Sequence, residues 1–152
     1  MKLGRIAIII AMLGGVVACD DANGGSGNLE FTVYGEDFIE QEIPAASSPG
    51  EEGFVDGWSV QFSRFLICLG NITVADQGGD VGAELEQFMV FDMHRPGPHS
   101  VIGFGDVGAQ RWDRVSFTIA PANANTEVAN ATEADLELMR NNAYSVYAEG
   151  TA

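Results

Sequence analysis

Between Trp58 and Val74 the chain carries a pattern that few folds can accommodate. Trp58, Val60 and Phe62 alternate with Ser59, Gln61 and Ser63. Phe65 to Leu69 is then apolar without interruption, and Ile72 and Val74 resume the alternation. Alternation is the period of a half-buried strand, and an unbroken apolar run of this length suits a strand covered on both faces. The segment therefore predicts a long strand with a doubly covered middle. A break near Arg64 or at Gly70-Asn71 could divide it into two strands.

The flanking segments read mostly as further strands. Leu29 to Tyr34, Phe88 to Met93, Ser100 to Phe104, Trp112 to Ala120 and Tyr144 to Ala148 carry strand patterns. Val115, Phe117 and Ile119 alternate clearly against Ser116 and Thr118. Two short helices are expected. One spans Gly35 to Ile43, with Phe38, Ile39 and Ile43 at helical spacing and Pro44 to stop it. The other runs from a Thr132 cap through Met139, with Glu133 and Asp135 in its first turn and Arg140 at its end. Residues 45–57, 76–83 and 122–131 read as loops or turns. The sum is a mainly β chain, expected to form a single antiparallel β-sandwich of immunoglobulin-like or transthyretin-like kind with two short helices.

The N-terminus points to export. Lys2 and Arg5 precede the uncharged apolar run Ile6 to Ala18, which ends in Val16-Val17-Ala18-Cys19. The run is shorter than the roughly 20 residues a membrane helix needs. A basic start, a short apolar run and small residues before a cysteine mark an export signal ending in a lipobox. An ordinary cleaved signal and a buried helix are the alternatives. On the lipobox reading residues 1–18 are a lipoprotein signal peptide and Cys19 is the lipidated first residue of the mature chain. Residues 19–28 are a flexible Gly/Ser-containing tether, and residues 29–152 are the domain. Palmitate-type acylation then anchors the protein in the cell envelope, in the inner or outer membrane, with the domain in the periplasm or at the cell surface. Asp20-Asp21 resembles an inner-membrane retention signal of enteric bacteria. At the other end, the strand reaching Ala148 has nothing after it to pair with, so either its edge is left open or the domain is truncated at its C-terminus, and truncation is the expectation.

Removing 18 of the 152 residues leaves 134, enough for one domain. The only lysine leaves with the signal. Five arginines then face 22 acidic residues, a net charge of −17. Such a surface repels nucleic acid and anionic headgroups, so no nucleic-acid partner is expected and membrane attachment rests on the lipid. A cationic ligand or a divalent metal ion suits it better, although an acidic surface also serves solubility. With Cys19 used by the anchor, Cys68 has no partner and reads as a small buried hydrophobe.

Catalytic signatures are missing from the sequence. There is no G-x-S-x-G, H-E-x-x-H or S-x-x-K, and the expectation is a non-enzymatic protein. Gly103-Phe104-Gly105-Asp106-Val107-Gly108 matches G-x-G-x-x-G, but a strand pattern follows it where dinucleotide binding needs a helix. It reads as a glycine turn between strands. Asp76-Gln77-Gly78-Gly79-Asp80 departs from the calcium-loop pattern at the positions that matter and reads as a solvated turn. Trp58 and Trp112 could offer sugar-stacking faces, but each sits in a strand pattern that favours core packing. Both histidines fall in Asp92-Met93-His94-Arg95-Pro96-Gly97-Pro98-His99. Asp92, His94 and His99 are therefore the candidate divalent-metal ligands, of a type suited to zinc or copper. No further ligand is evident, and two loop histidines in solvent are the simpler reading.

The segments Trp58-Ser-Val60-Gln-Phe62, Asn71-Ile-Thr-Val74, Val90-Phe-Asp92-Met93 and Trp112-Asp-Arg-Val115-Ser-Phe117-Thr-Ile119 are together similar to bacterial lipoprotein β-sandwich domains of unknown function. Gly35-Glu-Asp-Phe-Ile-Glu and Tyr144-Ser-Val-Tyr-Ala-Glu-Gly-Thr-Ala resemble segments of lipoproteins from myxobacteria-like organisms. Met93 stands where those domains usually have Leu, and Gln110-Arg111-Trp112 replaces a G-x-Y turn. The resemblance implies fold and location and supplies no catalytic residue. It also implies a longer chain, because the relatives continue beyond this C-terminus. The function expected from sequence is a lipid-anchored binding or structural module of the envelope. The alternatives are a metal-binding protein and a structural subunit completed by strand addition from an envelope partner.

Overall fold

The computed structural model describes residues 25–152; the expected signal, Cys19 and the first part of the tether lie outside the described residues. The elements in chain order are β1 (Ser26–Val33), α1 (Glu36–Glu40), β2 (Gln61–Ala75), β3 (Val81–Leu85), β4 (Met89–Asp92), β5 (His99–Gly108), β6 (Arg114–Ile119), β7 (Glu127–Val128), α2 (Glu133–Asn141) and β8 (Val146–Thr151). The chain is mainly β with two short helices, as its patterning predicts. No helix among the described residues is long and apolar enough to cross a membrane.

β2 organises the molecule. On one side it pairs with β8 through Gln61–Ile67 and with β6 through Leu69–Ala75. On its other side it pairs with β4 through Leu66–Leu69 and with β3 through Ile72–Ala75. All four pairings are antiparallel. β7 extends the β4 side in parallel, Val90 opposite Val128. β1 and β5 form a separate antiparallel ribbon that lies across one face of this sheet. α2 covers the other face.

The two expected breaks in β2 are irregularities within one strand. The register shifts between Phe62 and Arg64, and again between Gly70 and Thr73. The second shift has a large effect. Phe65, Ile67 and Leu69 face the ribbon while Leu66 and Cys68 face α2. Beyond the shift Ile72 and Val74 face the ribbon, so the apolar side has moved from odd to even positions. Asn71 takes up the extra residue in a left-handed conformation, φ 51°, which Asn tolerates better than most residues. Gly70 precedes it because the Gln87-Phe88 backbone crosses where a Cβ would stand.

Three apolar clusters result. Leu66, Cys68 and Val90 pack against Leu136 and Met139 of α2. Leu69, Ile72, Phe91 and Met93 lie under Phe31, Val33 and Val101 of the ribbon, and Ile39 of α1 joins them. Val74 and Ala83 meet Val107, Leu29, Phe104 and Trp112. α2 starts at a capping box in which the Thr132 side chain accepts from the Asp135 amide and the Asp135 carboxylate accepts from the Thr132 amide. That start aims Leu136 and Met139, three residues apart, at the sheet.

Several local expectations are corrected. Ser26 to Asn28, assigned to the tether, begin β1; Ser26 and Gly27 pair with Gly108 and Val107. The first helix is confined to Glu36–Glu40. The turn at residues 76–83 ends sooner, because Val81 and Ala83 already pair with β2 as part of β3. The loop at residues 122–131 contains β7. Gly103 to Gly108 form no turn; they continue β5 and pair with β1. The parallel β4–β7 pair departs from an all-antiparallel sheet. Trp58 precedes β2 and is 59% exposed, whereas Trp112 packs over Gly82 as expected of a core residue.

Candidate functional site

The histidine loop lies at the end of β4, and its geometry is set by structural hydrogen bonds. Asp92 is buried, and its Oδ1 accepts from the amides of His94 at 3.1 Å and Phe65 at 3.3 Å. Its Oδ2 lies 3.6 Å from Arg95 Nε. The Asp92 backbone is bracketed by Asn130, whose Oδ1 accepts from the Asp92 amide and whose Nδ2 donates to its carbonyl. His94 Nδ1 donates to the Ile39 carbonyl at 2.8 Å, and His99 Nε2 donates to the Arg95 carbonyl at 2.9 Å. Each predicted ligand therefore has its own partner. Among the described residues, no three His, Cys, Asp or Glu side chains are grouped to hold a metal ion.

Other sequence candidates resolve as structural elements. Asp76 Oδ1 accepts from the amides of Gly79 and Asp80 at 2.8 and 2.9 Å, closing the turn between β2 and β3. Cys68 is free and fully buried. Burial pushes its thiol pKa up, against the opposing effect of the neighbouring Thr126 hydroxyl.

A charged cluster ties together β2, α2 and β8. The Arg64 guanidinium donates to Asp135 at 3.0 Å and to Glu149, and it lies 5.7 Å from the Tyr147 ring centre. The Tyr147 ring also stacks on Tyr144, with ring centres 5.9 Å apart. Burial alone would raise the Asp135 carboxyl pKa. The Thr132 hydroxyl and amide, and then Arg64, outweigh it and hold the pKa below the usual carboxylate range. Each charged group meets an opposite charge or a donor, which is the arrangement of a structural tie. Sequence reading missed this cluster because its members are far apart in the chain; the polar Arg64 beside an apolar run was the available signal.

One surface cavity, of about 440 Å³, lies beside α1 and is lined by Tyr34, Glu36, Asp37, Glu40, Gly97 and Pro98. Its carboxylates favour a cation, but Glu40 is already engaged by the Gly97 amide at 3.1 Å.

The least expected feature is an apolar row on the ribbon-facing side of the sheet. Ile119 sits opposite Leu69 and Val115 opposite Val74, so β6 directs Val115, Phe117 and Ile119 to the side that the ribbon covers elsewhere. Val146 of β8, opposite Ile67, continues the line. The ribbon covers β2 and reaches β3 through Val107 and Ala83, and it stops short of this row. Val115, Phe117 and Ile119 remain 59, 52 and 45% exposed. Phe31 of β1 touches Phe117, with ring centres 6.2 Å apart. Three large apolar residues exposed side by side on one strand are a mark of an interaction surface. Their alternation was legible in the sequence, but the missing cover was not.

Compared with family models, curated proteins and solved structures, the chain matches none.

Proposed function

We propose that this chain is a lipid-anchored protein of the bacterial envelope whose domain is a non-enzymatic module that binds a partner protein. The Val16-Val17-Ala18-Cys19 sequence supports the anchor. The observation that carries the binding role is the uncovered row Val115, Phe117 and Ile119, an apolar sheet face left in water. The charged cluster and the histidine loop support a scaffold role, since their polar groups are engaged in holding the fold. We read the ribbon-on-sheet packing as a reduced β-sandwich, its second layer only two strands wide.

Metabolic labelling with radioactive palmitate in the native host tests the anchor. Label is expected on the wild type and lost in Cys19→Ala; an unlabelled wild type, or label that survives the substitution, removes the lipoprotein assignment. Photo-crosslinking from position 117 in intact cells tests the binding role. One discrete adduct is expected, and its absence counts against a partner at this face.

A further inference from the structure

The upper layer of the domain is narrower than the layer beneath it. Among the described residues, β1 pairs only with β5, and β6 pairs only with β2. Where Phe31 meets Phe117, the free edge of β1 therefore stands above the exposed row of β6, forming a step. The wall of the step is unpaired strand backbone and the floor is Val115, Phe117 and Ile119. An exposed edge of this kind is a template for another strand. β1 has few of the usual safeguards: Ser26 to Val33 contains no proline and no lysine, and Glu30 is its only charge.

We propose that this step receives an extended segment of a partner protein, which pairs with the free edge of β1 and becomes a third strand of the ribbon. The proposal rests on the binding-module reading and names the partner's chemistry. A strand in that position presents alternate side chains downward, and these must be apolar to cover Val115, Phe117 and Ile119. The intervening side chains share the outer face with Glu30 and Asp106. Glu30 is opposite Gly103 across the ribbon and makes no ion pair among the described residues. A Lys or Arg directly across from Glu30 is the favourable neighbour, and an acidic residue there is unfavourable. The occupant is thus an apolar/basic alternating segment. A second copy of this chain fits poorly: residues 25–152 carry five arginines against 20 acidic residues, so two domains repel.

The test uses the full-length protein in detergent micelles and fluorescent nine-residue peptides. One peptide alternates Val with Lys, a second alternates Val with Glu, and a third has the Val/Lys composition in scrambled order. Saturable binding of the Val/Lys peptide is expected, with new hydrogen-exchange protection confined to amides of β1. Phe117→Asp should weaken it about tenfold or more, the loss of one apolar contact. Glu30→Lys should invert the preference towards the Val/Glu peptide. Both positions are exposed or on a free edge, and circular dichroism checks that each variant keeps its fold. Equal binding of the scrambled peptide, protection on β6 or β8 without β1, no binding, or self-association that protects β1 without peptide would each overturn the proposal. If the peptides fail while crosslinking from position 117 still gives a discrete adduct, the strand-addition proposal falls and the binding-module reading stands.

Discussion

Arg64 on β2 and Asp135 on α2 are joined by a hydrogen bond of 3.0 Å, and through it the first turn of the helix is fixed to the central strand. The contact links residues 71 apart in sequence. Because the same carboxylate also closes the capping box with Thr132, one side chain both starts the helix and places it.

Replacing Asp135 with Asn should destabilise the domain by about 1–2 kcal/mol at neutral pH, the scale of a lost cap plus a charge-assisted bond. The sign of the pH dependence follows from the lowered pKa. A carboxyl with a depressed folded-state pKa stabilises the fold above its unfolded value, about 3.9, and loses that contribution as pH falls through the folded-state value. The gap between wild type and Asp135→Asn should therefore narrow below about pH 4. Urea unfolding across pH 3 to 7 measures it, and a constant gap would contradict the assignment.

At Asn71 the backbone sets the outcome. Asn71→Gly should be close to neutral, since glycine adopts the left-handed conformation freely. Asn71→Val should cost about 1–3 kcal/mol, because a β-branched residue is strained there. Thermal unfolding of the two variants distinguishes this from any effect of losing the Asn71 side-chain bond to Thr118, which both remove.

Two phenylalanines should behave oppositely. Phe91 is 1% exposed and sits in the ribbon cluster, so Phe91→Ala should cost about 3–5 kcal/mol. Phe117→Ala exposes little that was buried and should cost less than about 1 kcal/mol. Chemical denaturation reads both. A large cost at Phe117 would mean that the row belongs to the core of the free domain.

Cys68 should be unreactive while the domain is folded. Its side chain is fully buried and burial raises the thiol pKa, so the thiolate that reacts is scarce. In a Cys19→Ala background a maleimide reagent should modify Cys68 only as urea unfolds the protein. Rapid modification of the native protein would show that α2 opens readily.

Periodicity carried much of the fold into the sequence. The apolar run through Phe65–Leu69 placed a doubly covered strand, and Thr132 placed the start of α2. What escaped had weak local signals. β7 is two residues long and exists because the backbone after β6 passes beside Val90. β3 was hidden because Gly82 and Glu84 dilute its pattern, although Trp112 needs that glycine in order to pack. The glycine-rich stretch at 103–108 carries the composition of a turn, yet pairing with β1 holds it extended. Of the candidate site, Asp92 and the two histidines were legible as residue types but not as an arrangement, since Ile39, which holds His94, and Phe65 and Asn130, which hold Asp92, lie in other segments. The Arg64 cluster and the open step depend on which layer ends where, and no single segment encodes that.

The extra residue at Asn71 gives β2 a reading frame. Side chains before it and after it are in opposite phase, and each half is in phase with its own neighbours. Deleting Asn71 would merge the two phases into one regular alternation and keep Ile72 and Val74 on the ribbon side, whereas deleting a residue inside Phe65–Leu69 would turn part of that run to the other face. Two single-residue deletions, one at Asn71 and one at Ile67, would therefore differ sharply in effect, the first keeping the apolar phase and the second breaking it. The tolerance of β2 to a lost residue thus depends on where it is lost, and Asn71, where the loss keeps the apolar phase, bonds Thr118 between Phe117 and Ile119 of the exposed row.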